Sequence, residues 1–370
     1  MSSRLEPARE DRLRQFARRL VDQQRARIVV APDQARPGFW FGGGNLSMDR
    51  RGALYLVGRY RNQGDSRTGL QAGQRGWQLT VFRSADRGDS FTPVLRFAKA
   101  DLAVDEREVL SIEGSALVWS DSRVELFVST EKQAIGYPAE VAGFLKPGCG
   151  VWTIDHLQAP SLEALAEAHC STLLASSDPS YLHVKDPSVY LPPSGDLWLM
   201  FCSHPYGWTS SNTGLVCRPR GRPSFGPPRF DFFPRGVTWD VAITRGTSVV
   251  DVPRVGLFRD RQVSLLFYDG GESIRPLDEH AQAVRRPRGY SCEELAGAAY
   301  FVAGDSNPIH RLSDLSPLAV SPWGTGCCRY VDVLRAADAY YVTWQQAQAD
   351  GSQPLVLNKV DRVEAEQLLG

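Results

Sequence analysis

Two carboxylates stand out by their neighbours in the chain. Glu113 precedes Gly114-Ser115-Ala116, and Asp186 precedes Pro187-Ser188-Val189, so each opens an apolar segment through a small residue. Brought together, such a pair could act as general acid and general base on a glycosidic bond, and their separation would decide inversion or retention. The competing reading is structural: strand-start caps or ion pairs. Glu293 and Glu294 form another acidic pair just ahead of the apolar run 298–302, where one could supply a further acid.

Around these acids lie groups suited to holding hydroxyls. Asn45 follows three glycines, Gly42 to Gly44, which would let backbone approach a ligand closely. Arg59 and Asp65 belong to an Arg/Asp-rich stretch that reads as a binding loop, although the two could equally pair with each other. Tyr206 and Trp208, in the polar-aromatic loop 203–212, could stack a sugar face. Asp251 and Arg254 flank Val252-Pro253, and alternation puts them on opposite faces of a regular strand. Arg254 and Arg329 each offer a rigid fork of donors for a carboxylate or hydroxyl; a structural salt bridge is the alternative for both.

The elements that must position these residues form a repeat. Apolar strands begin at Asn45, Glu113, Asp186, Val252 and, most loosely, Arg329, roughly 65 to 77 residues apart. Each is followed by a second apolar strand, at 54–57, 125–128, 197–200, 263–266 and 339–342. A long period filled by strands predicts an all-β fold, a five-bladed β-propeller, in which the first strand of each blade lines a central channel. Expected blades run from about 38 to 97, 109 to 156, 181 to 231, 244 to 320 and 327 to 360. Residues 275–288 are long enough to form a lid over the fourth blade.

The flanks have their own patterns. Leu13, Phe16, Leu20 and Val21 share one face of an N-terminal helix expected over 7–27. Ile28-Val29-Val30 could close the ring by pairing with the last blade. The expected organisation is therefore a helix and closing segment over 1–36, the propeller over 37–361 and a short tail over 362–370.

Composition narrows the classes. Lys plus Arg and Asp plus Glu both number 42, so no global field draws in nucleic acid or an anionic membrane. The seven cysteines lack CxxC spacing, and the six histidines lack ligand spacing, so neither a metal nor a cofactor is expected. The triple glycine lacks the spacing of a dinucleotide fingerprint. The polar start carries no secretory pattern, and no eighteen-residue apolar window occurs, so a soluble cytoplasmic protein is expected. Nothing in the sequence specifies an oligomer.

At the residues quoted, the chain resembles the five-bladed β-propeller glycosidase superfamily, which includes family 43 arabinosidases and xylosidases, invertase-like enzymes and mannoside phosphorylases. Lys185 to Val189 resembles the inner-strand segment that carries an active-site Asp in family 43, and Ile112 to Ser115 the corresponding segment of another blade. Val57 to Arg61, followed by Gly64 to Arg67, resembles the first-blade layout of the mannoside phosphorylases. Ser84-Ala85-Asp86-Arg87-Gly88-Asp89-Ser90-Phe91 matches the Asp box of sialidases and other propellers, a turn motif that concerns fold and not catalysis. The resemblance departs at Asn45, where family 43 enzymes present an Asp base. It implies a glycoside hydrolase acting on a small carbohydrate, with Asp186 and Glu113 as the acids; Glu293 or Glu294 remains the third candidate from the residues themselves. A phosphorylase, a sialidase-like hydrolase and a non-catalytic sugar-binding propeller are the alternatives.

Overall fold

The computed structural model describes residues 4–62, 75–120, 122–207, 210–271, 294–302 and 305–370. Its strands form five antiparallel sheets, the blades of a propeller. The innermost strands are Val109–Trp119 in blade two, His183–Tyr190 in blade three, Ile243–Asp251 in blade four and Cys328–Arg335 in blade five. In blade one the inner strand is broken into Trp40–Gly42 and Leu46–Met48, both paired with Leu54–Arg61.

The ring is closed by residues from the start of the chain. Arg27–Val30 pairs antiparallel with Leu355–Leu357 and becomes the outer strand of blade five. The N-terminal helix spans Pro7–Leu20, with Pro at its first turn, Glu10 at its N-terminal end and Arg18 and Arg19 in its last turn, the polarity a helix dipole favours. Its apolar face, Leu13, Phe16, Ala17 and Leu20, packs into a core shared by blades four and five. It stops seven residues short of the expected end. Asp22 draws Arg19 into an ion pair at 2.9 Å, and the chain must turn there to deliver Arg27 to the sheet edge.

The turn at 84–91 sits beside this closure. Asp86 Oδ1 accepts from Ser90 N at 2.8 Å, Ser84 Oγ accepts from Gly88 N at 2.8 Å, and Gly88 has φ 88°. Arg27 of the closing strand donates to the carbonyls of Gly88 and Asp89. Blade two extends past its expected end: its fourth strand, Ser171–Leu174, arrives after an inserted helical turn capped by Ser161.

Every intact inner strand carries a register shift at the same depth. The shifts fall between Ile112 and Ser115, Lys185 and Ser188, Gly246 and Ser248, and Arg329 and Asp332. Bulges re-aim side chains and interrupt pairing to the neighbour strand. The freed groups bond across blade boundaries instead, and the bonds run round the whole ring. Leu117 N donates to Asn45 Oδ1 at 2.8 Å, and Gly114 N to Asp186 Oδ1 at 2.9 Å. Ser188 Oγ donates to Gly246 O at 2.9 Å, Val333 N to Ser248 Oγ at 3.1 Å, and Leu46 N to Asp332 Oδ2 at 2.7 Å. A repeated backbone irregularity thus brings side chains of different blades, Asn45, Asp186 and Asp332 among them, to one axis.

Candidate functional site

Glu113 and Asp186 meet at the boundary between blades two and three. Gly114, the residue after Glu113, donates its N–H to Asp186, and a Cβ at Gly114 would stand 2.7 Å from Asp186 Cα. Only glycine allows that approach. Asp186 has φ 55°, in the left-handed region, and its own N–H donates to Ser129 Oγ at 3.1 Å. Asp tolerates this conformation better than most residues. Backbone strain held in place by surrounding bonds is common where a side chain must be aimed.

Both acids are ion-paired. Arg59 is buried and grips Glu113 Oε2 through Nε at 3.2 Å and Nη2 at 2.8 Å, while its Nη1 donates to Gly42 O at 3.0 Å. Lys185 Nζ lies 3.6 Å from Asp186 Oδ2. Arg245 Nη1 donates to the same oxygen at 2.9 Å.

Arg245 is the hub that sequence reasoning missed. Besides Asp186 it binds Asp269 Oδ2 through Nη2 at 2.6 Å and Glu294 Oε2 at 2.9 Å. Arg329 Nη1 reaches Glu294 at 2.5 Å, so blades three, four and five are joined by one chain of charges. Tyr330 lies within it. Its ring centroid is 4.0 Å from the Arg245 guanidinium carbon, 5.6 Å from that of Arg59 and 5.5 Å from that of Arg329. Tyr330 has φ 55°, and its N–H is held by both oxygens of Asp269 at 3.0 Å.

The charges sort the acids. Burial alone would raise the Glu113 carboxyl, but Arg59, with Lys185 and Arg61, outweighs it and holds the group well below the usual carboxylate range. Arg245 and Arg329 do the same for Glu294. Asp269 goes the other way, pushed up to about 6 by burial despite Arg245. Asp332 is pushed up to about 7 by burial, against hydrogen bonds from Leu46 N, the Ser248 hydroxyl and Val333 N.

These elements enclose an axial cavity. Asn45, Ser115, Asp186, Arg245, Tyr330 and Asp332 are on its wall. Its empty volume is about 350 Å³ counting space open to solvent, and the enclosed part is narrow, nearer to a water than to a sugar ring. Asn45 faces it, yet its amide is engaged with the backbone of Leu117 in both directions. Among the described residues, no cluster of three or more His, Cys, Asp or Glu could hold a metal ion, and no helix is long and apolar enough to cross a membrane.

Of the expected residues, Glu113, Arg59, Glu294 and Arg329 are not on that wall but in the charge network beside it, and three more stand elsewhere. Val252-Pro253-Arg254-Val255 is not a strand entry: it comes after the inner strand of blade four, whose entry is Arg245-Gly246-Thr247. Arg254 is exposed and bonds to Arg259 O at 3.2 Å. Asp251 ends that strand, roughly 20 Å along it from Arg245, and accepts from Tyr190 and Ser264 hydroxyls at 2.6 and 2.7 Å. Tyr206 packs on Phe144 with ring centroids 5.0 Å apart and is not on the cavity wall. Asp65, Trp208 and Glu293 lie outside the described residues, as does the expected lid at 275–288. The misplacement has a physical origin. Ile243 to Val250 is buried throughout, and Asp186-Pro187-Ser188-Val189 invites alignment with the wrong Pro-containing segment. The charged-then-small pattern of Glu113-Gly114-Ser115, repeated in Arg245-Gly246-Thr247, is the signal that could have found it.

No protein-family model matches the chain, and a search of curated proteins found no significant match. Solved structures do share its fold. The β-xylosidase RS223 superposes with a TM-score of 0.52 at 10% identity, over 91% of this chain and 95% of that one. A GH43 enzyme from Xanthomonas citri complexed with xylose gives 0.52 at 11%, over 96% and 93%. The α-L-arabinofuranosidase of Podospora anserina, solved in complex with cellotriose, gives 0.54 at 11%, over 92% and 96%. These are likenesses of fold, and they cover the whole propeller.

Proposed function

We propose that the axial end of this propeller is a carbohydrate site and that the chain is a glycoside hydrolase removing a terminal sugar from a glycoside or oligosaccharide. One observation carries the reading: Asp186 and the segment of Glu113 are hydrogen-bonded neighbours on a shared cavity, although they are far apart in the chain. The shared fold with solved xylosidase and arabinofuranosidase structures supports the same reading. In this scheme Asp186, on the cavity wall, is the acid that meets the sugar. Glu113 and Glu294 supply fixed negative charge that holds Arg59, Arg245 and Arg329 in place, and of these Arg245 is on the cavity wall beside Asp186. Neither Glu can hold a proton near neutral pH, because its arginines keep it ionised.

A second reading has its own support. Glu113, Asp186 and Glu294 are all salt-bridged and the enclosed cavity is narrow, as expected of a propeller that binds sugars without cleaving them. A sialidase-like activity is less favoured, since the ring has five blades and its three convergent guanidiniums are committed to protein carboxylates. The test is a panel of nitrophenyl glycosides, assayed with and without phosphate. Nitrophenol release supports hydrolysis, and stimulation by phosphate indicates phosphorolysis. Sugar binding by calorimetry without any release would support the second reading.

A further inference from the structure

The inner strands contribute a second tier of polar residues just beyond the register shifts: Ser115, Ser188, Ser248 and Asp332 occupy matching positions in blades two to five. Three blades use serine there, and one uses a carboxyl. The blade-to-blade bonding at this tier needs only a hydroxyl, as Ser248 shows by accepting from Val333 N at 3.1 Å. Asp332 therefore carries chemistry that closure of the ring does not require.

Its surroundings set it apart from the other acids. Among the described residues, Asp332 has no ion-pair partner, whereas Glu113, Asp186 and Glu294 each have one. The charged and titratable groups on the same cavity wall are Asp186, Arg245 and Tyr330, and Arg245 is taken up by Asp186, Asp269 and Glu294. Against Asp332 itself pack Leu46 N, Ser248 and Val333 N, none of them charged. Ser115 lines the same cavity, is 2% exposed, and its hydroxyl has no hydrogen-bond partner among the described residues. A buried hydroxyl without a protein partner marks the wall as one that receives a polar guest.

We propose that Asp332 is the proton donor of this site, sharing the wall of the axial cavity with Asp186. The inference rests on the glycosidase reading above. As the bond from the anomeric carbon to the glycosidic oxygen breaks, the proton on Asp332 passes to that oxygen and frees the leaving alcohol. Water adds its oxygen to the anomeric carbon and gives its proton to Asp186. Exchange with solvent returns a proton to Asp332 and removes one from Asp186. Burial, which pushes the Asp332 carboxyl up to about 7, keeps a proton available near neutrality.

The test uses Asp332→Ser, which installs the residue the other three blades carry, beside Asp332→Asn. With an alkyl glycoside, whose leaving group needs a proton, kcat should fall by about 10²-fold or more. With a dinitrophenyl glycoside of the same sugar, whose leaving group needs none, kcat should stay within a few-fold. The basic limb of the wild-type kcat/KM profile should vanish in both variants. An infrared carboxylic-acid band at pH 6 should be present in the wild type and absent from Asp332→Asn. Equal losses on both substrates, an unchanged basic limb or an unchanged band would overturn the proposal. A wild-type chain that hydrolyses no glycoside would overturn the glycosidase reading and the donor role with it, while the infrared difference would still report whether Asp332 holds a proton.

Discussion

Arg245 neutralises more buried charge than any other side chain of the site, since Asp186, Asp269 and Glu294 all share its guanidinium. Removing one partner of a buried ion pair costs about 3–5 kcal/mol, because the remaining charges stay desolvated. Arg245→Met should therefore lower unfolding free energy by at least that much, read from urea denaturation, and Arg245→Lys should recover little, since an ammonium cannot span three carboxylates in one plane. The same network fixes a pH dependence. Glu113 and Glu294 have folded values held below their unfolded ones. Their stabilisation is full above the unfolded value, about 4.3, and is lost as pH falls further towards the folded value. Glu113→Gln should flatten the acid side of a Tm-versus-pH curve; a curve of unchanged shape would contradict the pairing. At this scale the sequence was half legible. Glu113, Asp186, Asn45, Arg59 and Arg329 announce themselves as charged or amide residues beside small ones, and Glu294 as part of an acidic pair ahead of an apolar run. Arg245 carries the same signal in Arg245-Gly246-Thr247 but is masked by the Pro-containing segment after it, and Asp332, between Val331 and Val333, has no small neighbour to mark it.

At the scale of elements, the N-terminal helix holds blades four and five together from outside. Phe16 is fully buried and meets Tyr340 edge-on, with centroids 5.5 Å apart. Phe16→Ala should cost about 3–5 kcal/mol. Calorimetry checks this, and a change below about 1 kcal/mol would mean that the helix is an ornament and not a brace. The helix and the closing strand were both visible in the sequence, one as a 3.6-residue pattern and the other as a short β-branched run before the first glycine cluster. The entry to blade four was not. The long excursion after Gly271 stretches that repeat, so an even period pointed to Val252 when the strand begins at Ile243. Periodicity locates repeats well when insertions are short and poorly when one blade carries a large one.

The whole molecule is a ring whose blades are stitched at the axis by side-chain-to-backbone bonds, so closure and site construction are one event. Asp332 shows the coupling. Its folded value is raised above that of an exposed Asp, so the folded ring holds a proton that the unfolded chain releases. Stability should fall as pH rises from about 4 to about 7, then level off. Asp332→Asn should remove that slope in a series of urea midpoints, and a slope that persists would place the titration elsewhere. The ring topology was readable from strand spacing. The place of Tyr330 in its cavity wall was not, because it depends on a left-handed backbone held among three guanidiniums.

If Asp186 acts on a sugar at the axis, the variant Asp186→Asn must reveal it. The measurement is kcat on the best glycoside of the panel, with calorimetric sugar binding and Tm recorded on the same preparations. A fall in kcat of about 10²–10⁴-fold is predicted, with binding retained and the variant folded. Full activity in a folded Asp186→Asn chain would contradict that role.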